Sequence, residues 1–349
     1  VVAGLDDVRL PGDLQEFDCR NNRLAWLALQ QDSLLDAVQR ARARWGAPRI
    51  AVLLGTSTSG LLQTELAYRR RGADGALPAD FLYAPTHNTN SVAAFVSQAL
   101  RLDGPSWVVS TACSSSAKVF ASAARLIAAG LVDAALVGGV DSLCLTTLYG
   151  FNSLELLSPE VCRPWDAQRR GLSLGEGAAF ALIERDAQAS GNAAQGWLLG
   201  AGESNDGYHM SSPHPQGLGA VQAIRAALAG AGLEPGAIDY VNLHGTATPN
   251  NDAAEDAAVH AVFGAGTPCS STKGATGHTL GAAGAVEAAI SLLALRHGFI
   301  PAGLNLRNRD PALLTNYLHE NRSTPLRRVL SNSFGFGGSN ASLVFGVPP

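Results

Sequence analysis

Twice along this chain, short apolar runs ending in glycine or small polar residues alternate with longer stretches whose apolar residues recur at helical spacing. In the first half, residues 50–55, 108–109, 134–140 and 177–184 predict strands, and 24–44, 91–100 and the stretch from Cys113 to Gly130 predict helices. In the second half, residues 195–202, 240–243, 328–331 and 341–345 predict strands, and 219–231, 253–263 and 281–297 predict helices. Such alternation specifies an α/β protein whose sheets are covered by helices. The polar, Ala/Gly-rich stretch 186–196 marks the centre and divides the chain into residues 1–186 and 187–349. The two halves share an order of elements, without a residue-level repeat.

With 46% hydrophobic and 15% charged residues in 349, much of the chain must be buried. A net charge of −4 leaves no electrostatic footprint for nucleic acid or an anionic membrane. The longest apolar runs are interrupted by Arg125, Asp133 and Glu287, so no membrane span is expected. Five cysteines, at 19, 113, 144, 162 and 269, are odd in number and unpaired in spacing, as in a reducing compartment. No signal peptide is visible, and a cytoplasmic location is expected. The opening on Val1 rather than methionine leads us to expect further residues upstream.

Chemistry concentrates in four segments. In Thr111-Ala112-Cys113-Ser114-Ser115, a strand turns sharply into a helix, which sets Cys113 at the helix's positive end beside unpaired N–H groups. That position predicts a depressed thiol pKa and an oxyanion-binding backbone. His244-Gly245-Thr246-Ala247-Thr248-Pro249 follows a strand, so His244 lies where α/β folds gather active-site groups. Lys273-Gly274-Ala275-Thr276-Gly277-His278 precedes a small-residue helix that carries Glu287. Glycine-rich Asn332-Ser333-Phe334-Gly335-Phe336-Gly337-Gly338-Ser339-Asn340 lets backbone approach a ligand closely, with Phe336 as an aromatic gate. Each segment also has a structural reading: a small buried cysteine, a loop-tying histidine, an ion pair, a tight strand connection. A phosphate cradle lacks the GxxxxGK[ST] order, and structural zinc lacks CxxC or HxxxH spacing, so no metal is expected. A cysteine protease leaves the second histidine and the lysine unexplained.

These four segments resemble the motifs of the β-ketoacyl-acyl-carrier-protein synthases of the I/II type, in the thiolase-like superfamily. Arg163-Pro164-Trp165-Asp166 and Gly175-Glu176-Gly177 belong to the same resemblance, which runs from about Asp18 to the C-terminus. The family's first strand and turn have no clear counterpart. The resemblance implies a thiolase fold: five layers (α-β-α-β-α) built from two similar halves, assembled as a homodimer or with a homologous ketosynthase-like subunit. It implies that Cys113 takes an acyl chain from acyl carrier protein. His244 and His278 would then bind the thioester carbonyl of malonyl-carrier protein as carbon dioxide leaves. Lys273, paired with Glu287, would orient His278. The N–H groups of Cys113 and Phe336 would form an oxyanion hole, and Thr246 and Thr248 would contact pantetheine. No cofactor is implied beyond the carrier's phosphopantetheine. Phe336 and Thr58 would line the acyl pocket. The hydroxyl of Thr58 replaces a glycine or aliphatic residue and predicts an unusual chain, unsaturated or aryl-capped. Arg20 and Arg23 occupy positions where basic residues meet the acidic carrier. A chain-length-factor-like, non-catalytic subunit is the alternative. A thiolase would need a second cysteine near the C-terminus, and none follows Cys269.

Overall fold

The computed structural model describes residues 1–185 and 194–347, so most of the central stretch at 186–196 lies outside the described residues. Ten helices can be followed among the described residues: α1 (Arg20–Leu29), α2 (Leu34–Trp45), α3 (Leu61–Arg69), α4 (Ser91–Leu100), α5 (Ser115–Ala128), α6 (Leu145–Ser153), α7 (Leu218–Ala231), α8 (Pro249–Phe263), α9 (Lys273–Thr276) and α10 (Ala283–His297). The first sheet has the order β2-β1-β3-β4, from β1 (Ile50–Gly55), β2 (Ser106–Val109), β3 (Ala134–Asp141) and β4 (Gly177–Glu184). Only β4 runs antiparallel to its neighbour.

The second sheet has the order β5-β12-β11-β6-β7-β9. It comprises β5 (Trp197–Asn205), β6 (Tyr240–Asn242), β7 (Pro268–Ser270), β9 (Asn316–Tyr317), β11 (Arg328–Gly335) and β12 (Ser339–Gly346). A small ladder joins β8 (Phe299–Ile300) to β10 (Arg322–Ser323).

The period-two alternation of the strands dictates the layering. On β1, Ala51 and Leu53 enter one apolar cluster, and Ile50, Val52 and Leu54 enter another. The first cluster is shared with Ala117 and Phe120 of α5, Ala285 and Ala288 of α10, Val329 of β11 and Leu343 of β12. Helices α5 and α10 therefore lie between the two sheets. The second cluster is completed by α1, α2 and α4 outside the first sheet. A third joins Val241, Leu330 and Val344 to Ile224 and Leu228 of α7 and Val259 of α8, outside the second sheet. The result is helix, sheet, helix, sheet, helix.

Three features differ from the sequence reading. Residues 24–44 form two helices rather than one, broken where Asp32 takes a left-handed φ of 52°. The apolar spacing runs across the break because Leu24 and Leu29 of α1 and Val38 and Ala41 of α2 all enter the same cluster. The second difference lies around Trp165. It stacks on Tyr317 at 5.0 Å, within the outer core of the second sheet, and Asp166 accepts N–H bonds from Arg307 (2.8 Å) and Asn308 (3.0 Å). The segment around Trp165, which precedes the 186/187 division, thus packs against the second sheet. Third, residues 280–297 form one helical stretch long and apolar enough to cross a membrane, but α10 is a core helix between the sheets.

Candidate active site

Strand β2 ends at Val109, and the chain reverses through Thr111-Ala112-Cys113-Ser114 before α5 begins at Ser115. Ala112 is held in the left-handed region at φ 52°, a conformation costing an alanine about 1–2 kcal/mol. Hydroxyls brace the turn: Ser115 Oγ donates to the Ala112 carbonyl (2.5 Å) and accepts from Thr111 N (2.9 Å), and Ser114 Oγ donates to the Thr111 carbonyl (2.9 Å). Cys113 is thereby set just before the helix, 5% exposed.

The other two segments arrive from the second half. His244 follows β6, and Glu255 on α8 fixes its backbone by accepting from His244 N (2.8 Å) and Gly245 N (2.7 Å). The His278 backbone is clamped by the first half: His278 N donates to the Ser173 carbonyl (2.7 Å), and Gly175 N donates to the His278 carbonyl (3.0 Å). Gly175 must be glycine there, because a Cβ would lie 2.5 Å from the Thr276 carbonyl oxygen.

Sulfur and imidazoles converge. His278 Nε2 lies 3.0 Å from Cys113 Sγ, and the two imidazole rings meet edge-on with centroids 5.3 Å apart. The backbone at Gly335-Phe336 passes close over the nucleophile's turn. Gly335 makes that approach possible: a Cβ on it would sit 2.7 Å from the Thr111 carbonyl oxygen and 3.1 Å from Cys113 N. Phe336 stacks on Phe151 of α6 at 5.5 Å.

Lys273 is buried and bonds Glu287, the His244 carbonyl (2.5 Å) and His244 Nδ1 (3.4 Å). An ammonium only donates, so His244 Nδ1 must present its lone pair and Nε2 must carry the proton. His244 is therefore fixed as a hydrogen-bond donor. His278 Nδ1 has no partner among the described residues, so nothing pins its tautomer. Burial, then Lys273, holds both imidazoles well below the free value of 6.5, and both are neutral.

The structure corrects four expectations. Burial pushes the Cys113 thiol up to about 12, with Lys273 opposing, so desolvation outweighs the helix end that predicted a thiolate. Lys273 touches His244 rather than orienting His278. The hydroxyl of Thr58 is not free to face a substrate: Oγ1 donates to Asp141 Oδ1 (2.7 Å) and accepts from Ser142 N (3.3 Å). Arg20 and Arg23 are already neutralised. Arg20 pairs with Glu176 (2.6 Å) and Asp6 (2.9 Å), and Arg23 with Asp18 (2.5 Å), so neither offers a free charge to an acidic partner. Spacing gives no reason to expect metal, although ligand atoms of Cys113, His244 and His278 lie within 4.8 Å of one another. The fixed tautomer speaks against a cation here: with Nε2 protonated, His244 offers the pocket a donor rather than a lone pair.

Thr246 and Thr248 are buried, with their hydroxyls 3.0 Å apart. Sequence reasoning missed Asp141, Glu255 and Phe151. For the two acids the available signal was a carboxylate closing an otherwise apolar strand and one set among the small residues of α8.

Comparison with known proteins gives consistent likenesses. Family models described as "Beta-ketoacyl synthase, N-terminal domain" and "Beta-ketoacyl synthase, C-terminal domain" match residues 17–189 and 195–307. The 3-oxoacyl-(acyl-carrier-protein) synthase 2 of Coxiella burnetii is 35% identical over 357 residues, covering 99% of this chain and 84% of its own length. A solved ketosynthase in complex with its chain length factor, from Xenorhabdus doucetiae, matches with a TM-score of 0.89 and 43% identity, over 97% of this chain and 84% of the other. A β-ketoacyl synthase from Burkholderia phymatum matches with a TM-score of 0.90 and 32% identity, over 97% and 85%.

Proposed function

From the chain's membership of the β-ketoacyl synthase family, to which it belongs, we infer that it is an acyltransferase of the thiolase fold that lengthens acyl chains on acyl carrier protein. The reaction is a decarboxylative Claisen condensation giving 3-oxoacyl-acyl-carrier protein, in fatty-acid, polyene or polyketide synthesis. The observation that carries this reading is the 3.0 Å approach of His278 Nε2 to Cys113 Sγ beside a second, donor-fixed imidazole.

In the first step, Cys113 Sγ attacks the acyl thioester carbonyl, and its proton passes to His278 Nε2 and on to the departing pantetheine sulfur. Because burial keeps the thiol protonated, proton transfer accompanies attack rather than preceding it. The N–H groups of Cys113 and Phe336 hold the oxyanion. In the second step, the malonyl carboxylate leaves as carbon dioxide, and its electron pair forms an enolate on the thioester carbonyl. His244 Nε2–H donates to that oxygen, and so does His278 once its unpinned ring has shifted its proton from Nδ1 to Nε2 after acylation. Two neutral donors stabilise the charge without protonating it. The carbanion then attacks the acyl-Cys113 carbonyl, the sulfur leaves, and one proton from solvent restores the thiol. Lys273 acts through His244, and Glu287 balances Lys273 in the interior. Thr246 and Thr248 lie beside His244, in keeping with a pantetheine-contacting role.

The partners are acyl carrier protein and a second ketosynthase-like subunit, identical or homologous. Strand β2, the outermost strand of the first sheet and half-buried along its length, supports a subunit contact beside the nucleophile. Five free, buried cysteines support a cytoplasmic location.

Incubation with acyl-carrier protein should add the mass of the acyl group to Cys113, and malonyl-carrier protein should then release carbon dioxide and the 3-oxo product. Cys113→Ala should abolish both acyl loading and product. An unmodified Cys113 in the wild type would favour the non-catalytic, chain-length-factor-like alternative.

A further inference from the structure

The helix that begins at the nucleophile and the helix that follows the second imidazole are joined by one hydroxyl. α10 begins at Ala283, and its N-cap residue, Ala282, has no side chain that can cap it. Ser116, in the first turn of α5, caps it from outside: its Oγ accepts from Ala285 N at 2.9 Å, and the residue is fully buried. Bare backbone makes the room. A Cβ on Gly139 of β3 would lie 2.5 Å from Ser116 Cβ, 2.9 Å from Ser116 Oγ and 2.8 Å from Ala282 Cα. One on Gly55 of β1 would lie 2.3 Å from Ser116 N.

Ser116 follows Cys113 by less than one helical turn, and Ala285 lies in the first turn of the helix after His278. The hydroxyl therefore ties the segment holding the sulfur to the segment holding the base. The rest of the crossing is small and apolar, with Ala117 against Gly284. Such packing sets how near the helices lie, but apolar contact is non-directional and resists sliding weakly. A hydrogen bond is directional, and a displacement of about 1 Å ends it. Among the described residues no other side-chain hydrogen bond joins α5 to α10, so this one sets their register.

We propose that Ser116 is a positioning residue for acyl transfer: by capping α10 it fixes the register of that helix on α5, and so holds His278 Nε2 within reach of the Cys113 thiol proton. This rests on the acyl-transfer reading of Cys113. Ser116 itself touches no reacting atom. Removing its hydroxyl takes the acceptor from Ala285 N in the interior, and the first turn of α10 relaxes by moving. A shift of about 1 Å is enough to take a base out of reach of the proton it abstracts.

The test is the pH profile of acyl loading on Cys113 from acyl-carrier protein, followed by mass spectrometry, in wild type, Ser116→Ala and Ala288→Gly. In the wild type a neutral His278 takes the proton during attack, so the rate should be level between about pH 7 and 8.5. In Ser116→Ala, with His278 displaced, attack waits for the thiolate of a thiol that burial pushes up to about 12. Loading should then fall about tenfold or more at the lower end and climb about tenfold for each pH unit. Ala288→Gly removes a methyl from the same apolar layer and leaves the Ser116 bond in place. It should lower the melting temperature, as Ser116→Ala does, and keep the level profile.

A level profile in Ser116→Ala, whatever its rate or melting temperature, would reduce Ser116 to a stabilising cap and overturn the proposal. So would a wild type whose loading already climbs with pH, because no base would then be in place to position, although loading itself would still support the acyl-transfer reading. Should Ser116→Ala fail to fold, Ser116→Cys decides by the same profile, with the acyl group located on Cys113 by fragmentation: its sulfur fills the space but is a weak, longer-range acceptor, and a level rate there would overturn the proposal. A wild type left unmodified at Cys113 ends the acyl-transfer reading and the proposal with it, a result distinct from the others.

Discussion

At the scale of single residues, chemistry here is decided by which partner a polar atom already has. Lys273 is the clearest case, because it determines the protonated nitrogen of His244 and is itself balanced by Glu287, which burial lifts to about 7 against the pull of the ammonium. Lys273→Ala leaves a buried carboxylate without a counter-charge and should cost about 3–5 kcal/mol, read as a lower melting temperature. Lys273→Ala combined with Glu287→Gln should recover much of that stability. It should not recover carbon dioxide release from malonyl-carrier protein, because His244 remains unpinned, whereas acyl loading of Cys113 should persist. The two neutral imidazoles also fix a pH dependence. Their folded-state values lie below 6.5, so the unfolded chain binds more protons in that window. Their contribution to stability is complete above 6.5 and is lost as pH falls through the depressed values. The decarboxylation rate should therefore hold level from neutral pH down past 6.5, where an exposed histidine would titrate.

At the scale of elements, the site depends on how closely α5 and α10 cross. A Cβ on Gly284 of α10 would lie 2.6 Å from Ala117 N and 2.8 Å from Ala117 Cβ on α5. Gly284→Ala should push the helices apart, costing about 1–3 kcal/mol, and should lower condensation by more than the fall in melting temperature explains, because Cys113 and His278 flank that crossing. Gly150→Ala on α6, where a Cβ meets nothing within 4 Å, is the neutral control.

Much at this scale was legible in sequence. Residues 134–140 and 177–184 read as strands, and 91–100 and 219–231 as helices, because both faces of the sheets are buried and the apolar periods are strong. Cys113, His244 and His278 were legible because each sits in a recognisable segment. The rest was hidden for one physical reason: a sequence gives the type of a polar group and not its partner. Asp141 and Glu255 look like surface charges until their amide donors are seen, Arg20 and Arg23 look free until Glu176 and Asp18 are seen, and Thr58 looks polar until its hydroxyl is seen to be engaged.

At the scale of the whole molecule, the reacting sulfur belongs to the first sheet's half and both imidazoles to the second. The contacts that set sulfur against nitrogen are specific: the clamp of Ser173 and Gly175 on His278, the small-residue crossing of α5 and α10, and the close passage of Gly335 over Cys113, all within the apolar layer the two sheets share. Each sheet has its own outer apolar cluster, independent of those contacts. Loosening at these close contacts separates sulfur from nitrogen while the apolar clusters persist. Heat should therefore silence the enzyme several degrees before circular dichroism records any loss of helix, and cooling from that interval should restore it fully. The catalyst is a seam rather than a vessel: it exists only while its two banks touch.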